Sequence, residues 1–519
     1  MARSRTAEPP TTTRARPEDE YLGAGASLGY GLQHVLTMYG GIIAPPLIIG
    51  GVAGMTPQEQ GLLIAASLFV GGLATVLQSW GLKFFGSQLP LVQGTSFAGV
   101  ATMTAIVQSG GGIQAVSGAV IVASVVGFLI TPFFVSIIRF FPPVVTGVVI
   151  TSIGLTLFPV AARWAMGGNA QSPEYGSVGN IALAGLTLLI IMLLSKLGSA
   201  AISRLSILIG LVLGTAAAAA LGMADFSQVL SGDIFAVPQP LAFGPPVFEV
   251  AAILSMFIVI LVTLTETTAD IIAVGEIVDT KVDKKRIADG LRADMASSAL
   301  APLFNGFTQS AFAQNVGLVA ITGVKSRFVV TAGGLILVTL GLLLVLGRVV
   351  AAVPPPVLGG AGIVLFGSVA ASGIRTLAKV DFGNGANLII VATSIGFGML
   401  PIAVPEIYAN FPAWFETIFH SGISSAAVMA ILLNILFNEF RAGNPPRGTG
   451  SVFANAPVRA VRYESIEHLQ DHLQEGDTVR NGKLVDCDGN EVPVITAAGE
   501  IIGTRVCEPQ DGSSGSSAH

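Results

Sequence analysis

Cysteine is nearly missing from this chain: Cys487 and Cys507 are the two present, both in a polar C-terminal stretch. Two thiols specify neither a zinc site nor a disulfide framework, and they read as unassigned, reduced thiols. Charge is scarce as well. Lys, Arg, Asp and Glu together make up 11% of 519 residues against 52% apolar residues, and the mean hydropathy is +0.75. That balance excludes a water-soluble globular protein, whose surface needs more charge to stay hydrated. A formal charge of −5 says little by itself, because in a membrane the placement of charge matters more than its sum. No nucleic-acid partner is expected. The cytosolic segments lack paired-histidine metal motifs, phosphate loops and nucleophile elbows, so neither an enzyme nor a bound cofactor is expected. Residues 1 to 20 are polar and rich in Pro, Thr and Arg, with no apolar core of a signal peptide. They predict a disordered tail over residues 1–24.

What is there is apolar sequence in long runs. Crossing a hydrocarbon core of roughly 30 Å takes about 20 apolar residues, and about fourteen such stretches recur between Ala26 and Phe440. They fall near 26–48, 60–80, 91–108, 113–137, 142–162, 180–195, 203–223, 250–278, 287–306, 311–323, 328–350, 354–371, 384–404 and 422–441. The fold class is therefore an all-α polytopic membrane protein. Lys and Arg test the count, since they gather on the cytoplasmic side. Arg3, Arg5, Arg14 and Arg16 precede the first span. Lys83, Arg139, Lys196 with Arg204, the Lys281 to Arg286 cluster, Lys325 with Arg327, Arg375 with Lys379, and Arg441 follow even-numbered spans. Loops 51–60, 223–248 and 405–421 carry no Lys or Arg, and only Arg163 and Arg348 sit near outer ends. Both termini are predicted to be cytoplasmic.

Fourteen spans divide into two sevens, and the odd number makes the second seven enter from the opposite side, an inverted repeat. The short third and tenth spans then hold equivalent places. The third reads Gln93-Gly94-Thr95-Ser96-Phe97-Ala98-Gly99 and the tenth Phe312-Ala313-Gln314-Asn315-Val316-Gly317. Both interrupt apolar sequence with Gly and with amide or hydroxyl groups, as a mid-membrane binding site does when half-helix N-termini offer free backbone N–H groups. Close-packed helices or re-entrant loops would also use small residues here.

Ionisable side chains inside the bilayer are costly, so each is a functional candidate. The eighth span contains Thr263-Leu264-Thr265-Glu266-Thr267-Thr268-Ala269-Asp270, which sets Glu266 and Asp270 at i and i+4 on one helical face. The ninth adds Asp294 and the first adds Gln33-His34. Desolvation and mutual repulsion make a buried acid pair a proton acceptor in general, which suits a proton carrier. Asp270 could instead pack or cap a helix, Asp294 orient the site or gate it, and His34 either support span eight or fill a packing position. Beyond Asn444, Pro445-Pro446 and Gly448/Gly450 read as a linker in 442–519. A small cytosolic unit follows, with a helix near Ser465 to Glu475 and strands near Lys483 to Val485, Val492 to Thr496 and Ile501 to Val506.

The tenth span continues to Ile321-Thr322-Gly323, giving Gln-Asn-x-Gly-x-x-x-x-Thr-Gly. This pattern resembles the signature of the nucleobase–ascorbate transporters, the nucleobase:cation symporters of the second kind. Gln33-His34, Ser96-Phe97, Glu266 with Asp270, and Asp294 twenty residues before Gln314 also match family positions, and the likeness covers about residues 25 to 440. It implies fourteen spans in a core domain (spans 1–4 and 8–11) and a gate domain (5–7 and 12–14), short strands at the third and tenth spans, and a homodimer in the plasma membrane. The implied cargo is a purine nucleobase, xanthine or uric acid, moved as a symport with H+ or Na+. By similarity Glu266 would bond the base, Gln314 its other edge and Phe97 its face, with Ala313 and Ser96 completing the site. Asp270, Asp294, Asn315, His34, Gly317 and Thr322 would shape the site or couple it to the cation. Uracil carriers of the family tend to have Glu where Gln314 stands, so a purine is favoured over a pyrimidine. An anion exchanger of related architecture is a further reading, against which Glu266 and Asp270 would repel a dianion. The Thr-rich context of Glu266 departs from the commoner Glu-Ser, and the C-terminal unit has no counterpart in the family pattern.

Overall fold

The computed structural model describes residues 16–439 except 138–140, 228, 230, 384, 413, 414, 417 and 418, together with short strands and one further position between 461 and 503. Span 1 is a helix over Ala24–Val52, span 2 Pro57–Trp80, span 4 Gly112–Ile137, span 5 Pro143–Ala165, span 6 Val178–Leu197 and span 7 Ser206–Ala220. In the second half, span 8 is Val250–Val278, span 9 Lys284–Leu300, span 12 Pro355–Leu377, span 13 Gly385–Ala403 and span 14 Gly422–Asn434. Span 11 is Arg327–Leu342 joined to Leu344–Ala351 at a bend of 78°. Spans 3 and 10 are broken, as expected. Span 3 starts with β1 (Gln93–Thr95) and continues through a tight turn, Phe97–Gly99, into a helix over Val100–Ile106; span 10 starts with β2 (Gln309–Ala311) and continues as a helix over Ala313–Thr322. Spans 3 and 4 are separated by Gly110 and Gly112 at φ 95° and 64°, a left-handed backbone that glycine alone adopts freely.

Helix packing carries the two-fold relation between the halves. Span 2 lies against span 11 as span 9 lies against span 4; span 1 against 11 as 8 against 4; span 6 against 7 as 13 against 14; and span 5 against 13 as 12 against 6. Each of these contacts recurs with seven added to its span number. Spans 5 and 12 map onto each other and share the most extensive contact in the molecule. The contacts also sort the helices into two groups, spans 1–4 with 8–11 and spans 5–7 with 12–14, the sets that the resemblance names core and gate. At the centre of the core, β1 and β2 pair antiparallel, Gln93 opposite Ala311 and Thr95 opposite Gln309, so the second seven spans run inverted to the first. Each strand is anchored alike. The Thr75 hydroxyl of span 2 accepts from the Gln93 N–H at 2.9 Å and donates to the Gln93 carbonyl at 3.0 Å. The Ser298 hydroxyl of span 9 does the same for Gln309, at 2.8 and 3.3 Å.

The seam between spans 5 and 12 is built on glycine. A Cβ added at Gly154 would stand 2.3 Å from the Ala370 nitrogen, and one at Gly373 2.2 Å from that of Thr151. Only hydrogen fits there, and the close approach gives dense backbone packing that lipid cannot replace.

Two boundaries move, the first within the few residues allowed for it. Span 9 was expected over 287–306, but its helix begins at Lys284, capped by the Asp283 side chain on the Arg286 N–H, and carries an ion group not singled out from sequence: Lys285 and Arg292 flank Asp289 at 2.7 and 2.5 Å. Order is also found inside the tail expected to be disordered over 1–24, of which residues 1–15 lie outside the described residues. Pro17–Asp19 form a tight turn, Glu18 is fully buried against Arg286 at 2.5 Å, and Asp19 bonds Arg327 at 2.7 Å.

The contacts divide the chain into Met1–Ala442 and Gly443–His519. Within the second unit a hairpin pairs β4 (Thr478–Arg480) with β5 (Lys483–Val485); β6 (Val494–Ile495) lies between β3 (Val461–Arg462), parallel, and β7 (Ile501–Gly503), antiparallel. Strands were expected near β5, β6 and β7; β3 and β4 were not. The helix expected near Ser465 to Glu475, and Arg139, Arg441, Cys487 and Cys507, lie outside the described residues.

Candidate functional site

Spans 3 and 10 turn part-way along from strand to helix, and the turn exposes backbone donors. The Ser96 N–H donates to the Thr308 carbonyl at 2.8 Å and the Phe312 N–H to the Val92 carbonyl at 3.0 Å, which ties the two turns to each other. The Ser96 hydroxyl caps its own turn by accepting from the Ala98 N–H at 3.2 Å. No side chain caps the helix that begins at Ala313, so its first N–H groups have no partner within the helix. Ala313 and Gln314 stand in that first turn, half-buried.

Span 8 supplies the acid. Glu266 faces the gate, lining a narrow cleft with Val262 and Thr265 of its own helix, Val145, Thr146 and Val149 of span 5, and Ile431 of span 14. The cleft measures about 10 Å³, too little for a heterocycle. Phe97 also looks across: its ring meets Phe366 of span 12 edge-on at 6.1 Å, and Trp164 of span 5 lies 6.2 Å from Phe366. Beyond it, the Thr102 hydroxyl of span 3 donates to Ser421 at 3.1 Å, beside Ser424 of span 14 at 3.4 Å. Among the described residues, Glu266 Oε2, Asp270 Oδ2 and Asp294 Oδ1 are buried without a hydrogen-bond partner. In a medium of low dielectric such oxygens call for a proton, a cation or a donor from a ligand.

The remaining candidates separate into two kinds. His34 and Asn315 are both buried and bonded to each other, Asn315 Nδ2 lying 3.1 Å from His34 Nδ1 and 3.0 Å from the His34 carbonyl. They tie span 1 to span 10 behind the site. Gly317 has open space where a side chain would begin. Thr322 ends the same helix, returning its hydroxyl to the Leu318 carbonyl at 2.8 Å before Gly323 turns left-handed at φ 67°; its bonds are local. Sequence reasoning passed over Thr267 as a ligand of Asp294 and Gln309 as the partner of Ser298. The threonines around Glu266 and the glutamine opening each strand were the available signals.

A broken helix pair with an acid facing a narrow cleft is a carrier's geometry. A family model described as "Permease family" (Xan_ur_permease) matches residues 25–407. The chain belongs to this family, the nucleobase–ascorbate transporters. Among its relatives, the xanthine permease of Bacillus subtilis (strain 168) is 40% identical over 418 residues, covering 80% of this chain and 95% of that protein. The uric acid transporter UacT of Escherichia coli (strain K12) is 37% identical over 439 residues, covering 83% and 91%. Among solved structures, the transmembrane domain of the cyanobacterial bicarbonate transporter BicA matches with a TM-score of 0.50 at 16% identity, covering 80% of this chain and 99% of that one. Murine Slc26a9, an anion transporter in the inward-facing state, matches with a TM-score of 0.56 at 12% identity, covering 81% and 69%. At such identities the likeness is one of fold, and the permease's cargo is a matter for its own site.

Proposed function

We propose that this permease is a secondary active symporter that imports a purine nucleobase, xanthine or uric acid, together with a cation, H+ in the first place. The observation that carries the reading is the pairing of Glu266, an acid with an unpartnered oxygen at the core–gate cleft, with the uncapped helix start at Ala313 and Gln314. A flat base with alternating donors and acceptors is complementary to a carboxylate, an amide that both donates and accepts, and backbone N–H groups. Phe97 offers its ring face. Relatives named for xanthine and uric acid support the substrate class. Transport belongs to residues 25–441, with 1–24 and 442–519 as flanking segments. The protein works as a homodimer in the plasma membrane with both termini cytoplasmic, an orientation supported by the distribution of Lys and Arg.

Proteoliposome uptake of xanthine, uric acid, hypoxanthine and uracil, with and without an inward pH gradient, tests the proposal. Accumulation of a purine that follows the gradient is expected. Uracil uptake that purines do not compete with, or net purine uptake indifferent to every imposed cation gradient, would overturn it.

A further inference from the structure

Threonines in a helix ordinarily return their hydroxyl to the carbonyl one turn back. Span 8 shows this three times: Thr263 bonds the Val259 carbonyl at 3.0 Å, Thr265 that of Leu261 at 2.8 Å and Thr268 that of Leu264 at 2.7 Å. Thr267 departs from the rule. Its hydroxyl donates to Asp294 Oδ2 on span 9 at 2.5 Å and accepts from the Ala311 N–H of β2 at 3.3 Å. All three groups are buried, Thr267 and Asp294 with no exposed surface at all.

We propose that Thr267 is a positioning residue for the base site, holding Asp294 and the end of β2 in one hydrogen-bonded chain so that Ala313 and Gln314 keep a fixed place relative to Glu266. The inference rests on the purine-site reading above. One residue is about 100° around an α-helix, so Glu266 can face the gate while Thr267 faces into the core. Ala311 is two residues before Ala313, with no flexible segment between them. A second comparison separates this link from the common scaffold. Aligning Ser298 of span 9 with Thr75 of span 2, which anchor the two strands alike, puts Gly71 opposite Asp294. The first half therefore has no acid to receive such a bond, and the chain through Thr267 belongs to one repeat only.

Thr267→Val keeps the branched shape and removes the hydroxyl; Thr267→Ser does the reverse. Uptake of labelled xanthine and uric acid, normalised to inserted protein, should fall at least tenfold for Val, with Ser retaining more than half of the wild-type Vmax and an unchanged KM. Should Val insert poorly, Thr267→Ala against Thr267→Ser makes the same comparison. Equal activity of the hydroxyl-bearing and hydroxyl-free variants would overturn the proposal. A second readout needs no substrate: amide hydrogen exchange at Ala311 should rise in Val or Ala while Gln309, held by Ser298, stays protected. Unchanged exchange at Ala311 overturns the link even if the carrier proves to move another solute, whereas a wild type that moves no purine but shows the exchange change sinks only the substrate.

Discussion

Asn315 Nδ2 lies 3.0 Å from the carbonyl oxygen of His34 and 3.1 Å from its ring Nδ1, and the first contact fixes what the second must be. The amide cannot be turned over, since its oxygen would then face a carbonyl oxygen. Nδ1 therefore accepts, and the ring carries its proton on Nε2. Asn315→Ala should strand the buried Nδ1 of His34, whose carbonyl keeps its donor within the helix, and cost about 1–3 kcal/mol. A lowered melting temperature in detergent, with purine uptake reduced by more than the loss of inserted protein, is the expected result. Wild-type melting and uptake would show that the pair does not hold span 1 to the site.

Glu266→Gln should abolish accumulation driven by the pH gradient while leaving the protein inserted. The variant keeps the size of the side chain and removes its reversible proton. Gradient-driven accumulation equal to wild type would take Glu266 out of coupling.

Gln314→Glu replaces a group that donates and accepts with one that, ionised, only accepts. The ratio of uracil to xanthine uptake should rise about tenfold or more, the scale of one to two hydrogen bonds gained by one base and lost by the other. A ratio that stays put in a normally expressed variant would remove Gln314 from base selection.

The N-terminal turn gives a prediction away from the bilayer. Glu18 is buried and its oxygen accepts from Arg286 and Thr280, so Glu18→Ala leaves Arg286 short of its charge partner at a cost of about 3–5 kcal/mol. Asp19 adds a pH dependence. Burial alone would raise its carboxyl, but hydrogen bonds from Arg16 and Arg327 outweigh burial and hold it below its usual 3.8. A depressed value in the folded state means stabilisation that is complete above the unfolded value and lost as pH falls through the folded one. The melting-temperature gap between wild type and Asp19→Asn should thus be widest near neutral pH and close below about pH 4. A gap that widens on acidification would reverse the assignment.

The spans were legible because hydropathy and the placement of Lys and Arg obey the bilayer and not the neighbours. Even the broken third and tenth spans announced themselves, through Gly94 and Gln314 in otherwise apolar sequence. Glu266 and Asp270 stood out for a related reason: an acid within an apolar span is costly to bury, so the sequence flags it whatever its role. Partnership was not. Nothing in the order of residues says that Thr267 turns away from its own helix while Thr263, Thr265 and Thr268 do not, since that choice is made by Asp294, 27 residues on. The burial of Glu18 was hidden likewise, its cationic partner standing 268 positions downstream.

The glycine seam between spans 5 and 12 decides where this molecule is able to give. Backbones meshed at Gly154 and Gly373 cannot slip by a helical step, since every step would drive a Cβ into a peptide group. Spans 5 and 12 are thereby locked to each other, and compliance collects at the other boundary, where Phe97 meets Phe366 edge-on and the Thr102 hydroxyl meets Ser421 and Ser424. Such contacts can part without backbone rearrangement. Stiffness in one seam so becomes directionality in the other, and cross-linking across spans 5 and 12 should leave turnover untouched where cross-linking Thr102 to Ser421 would stop it.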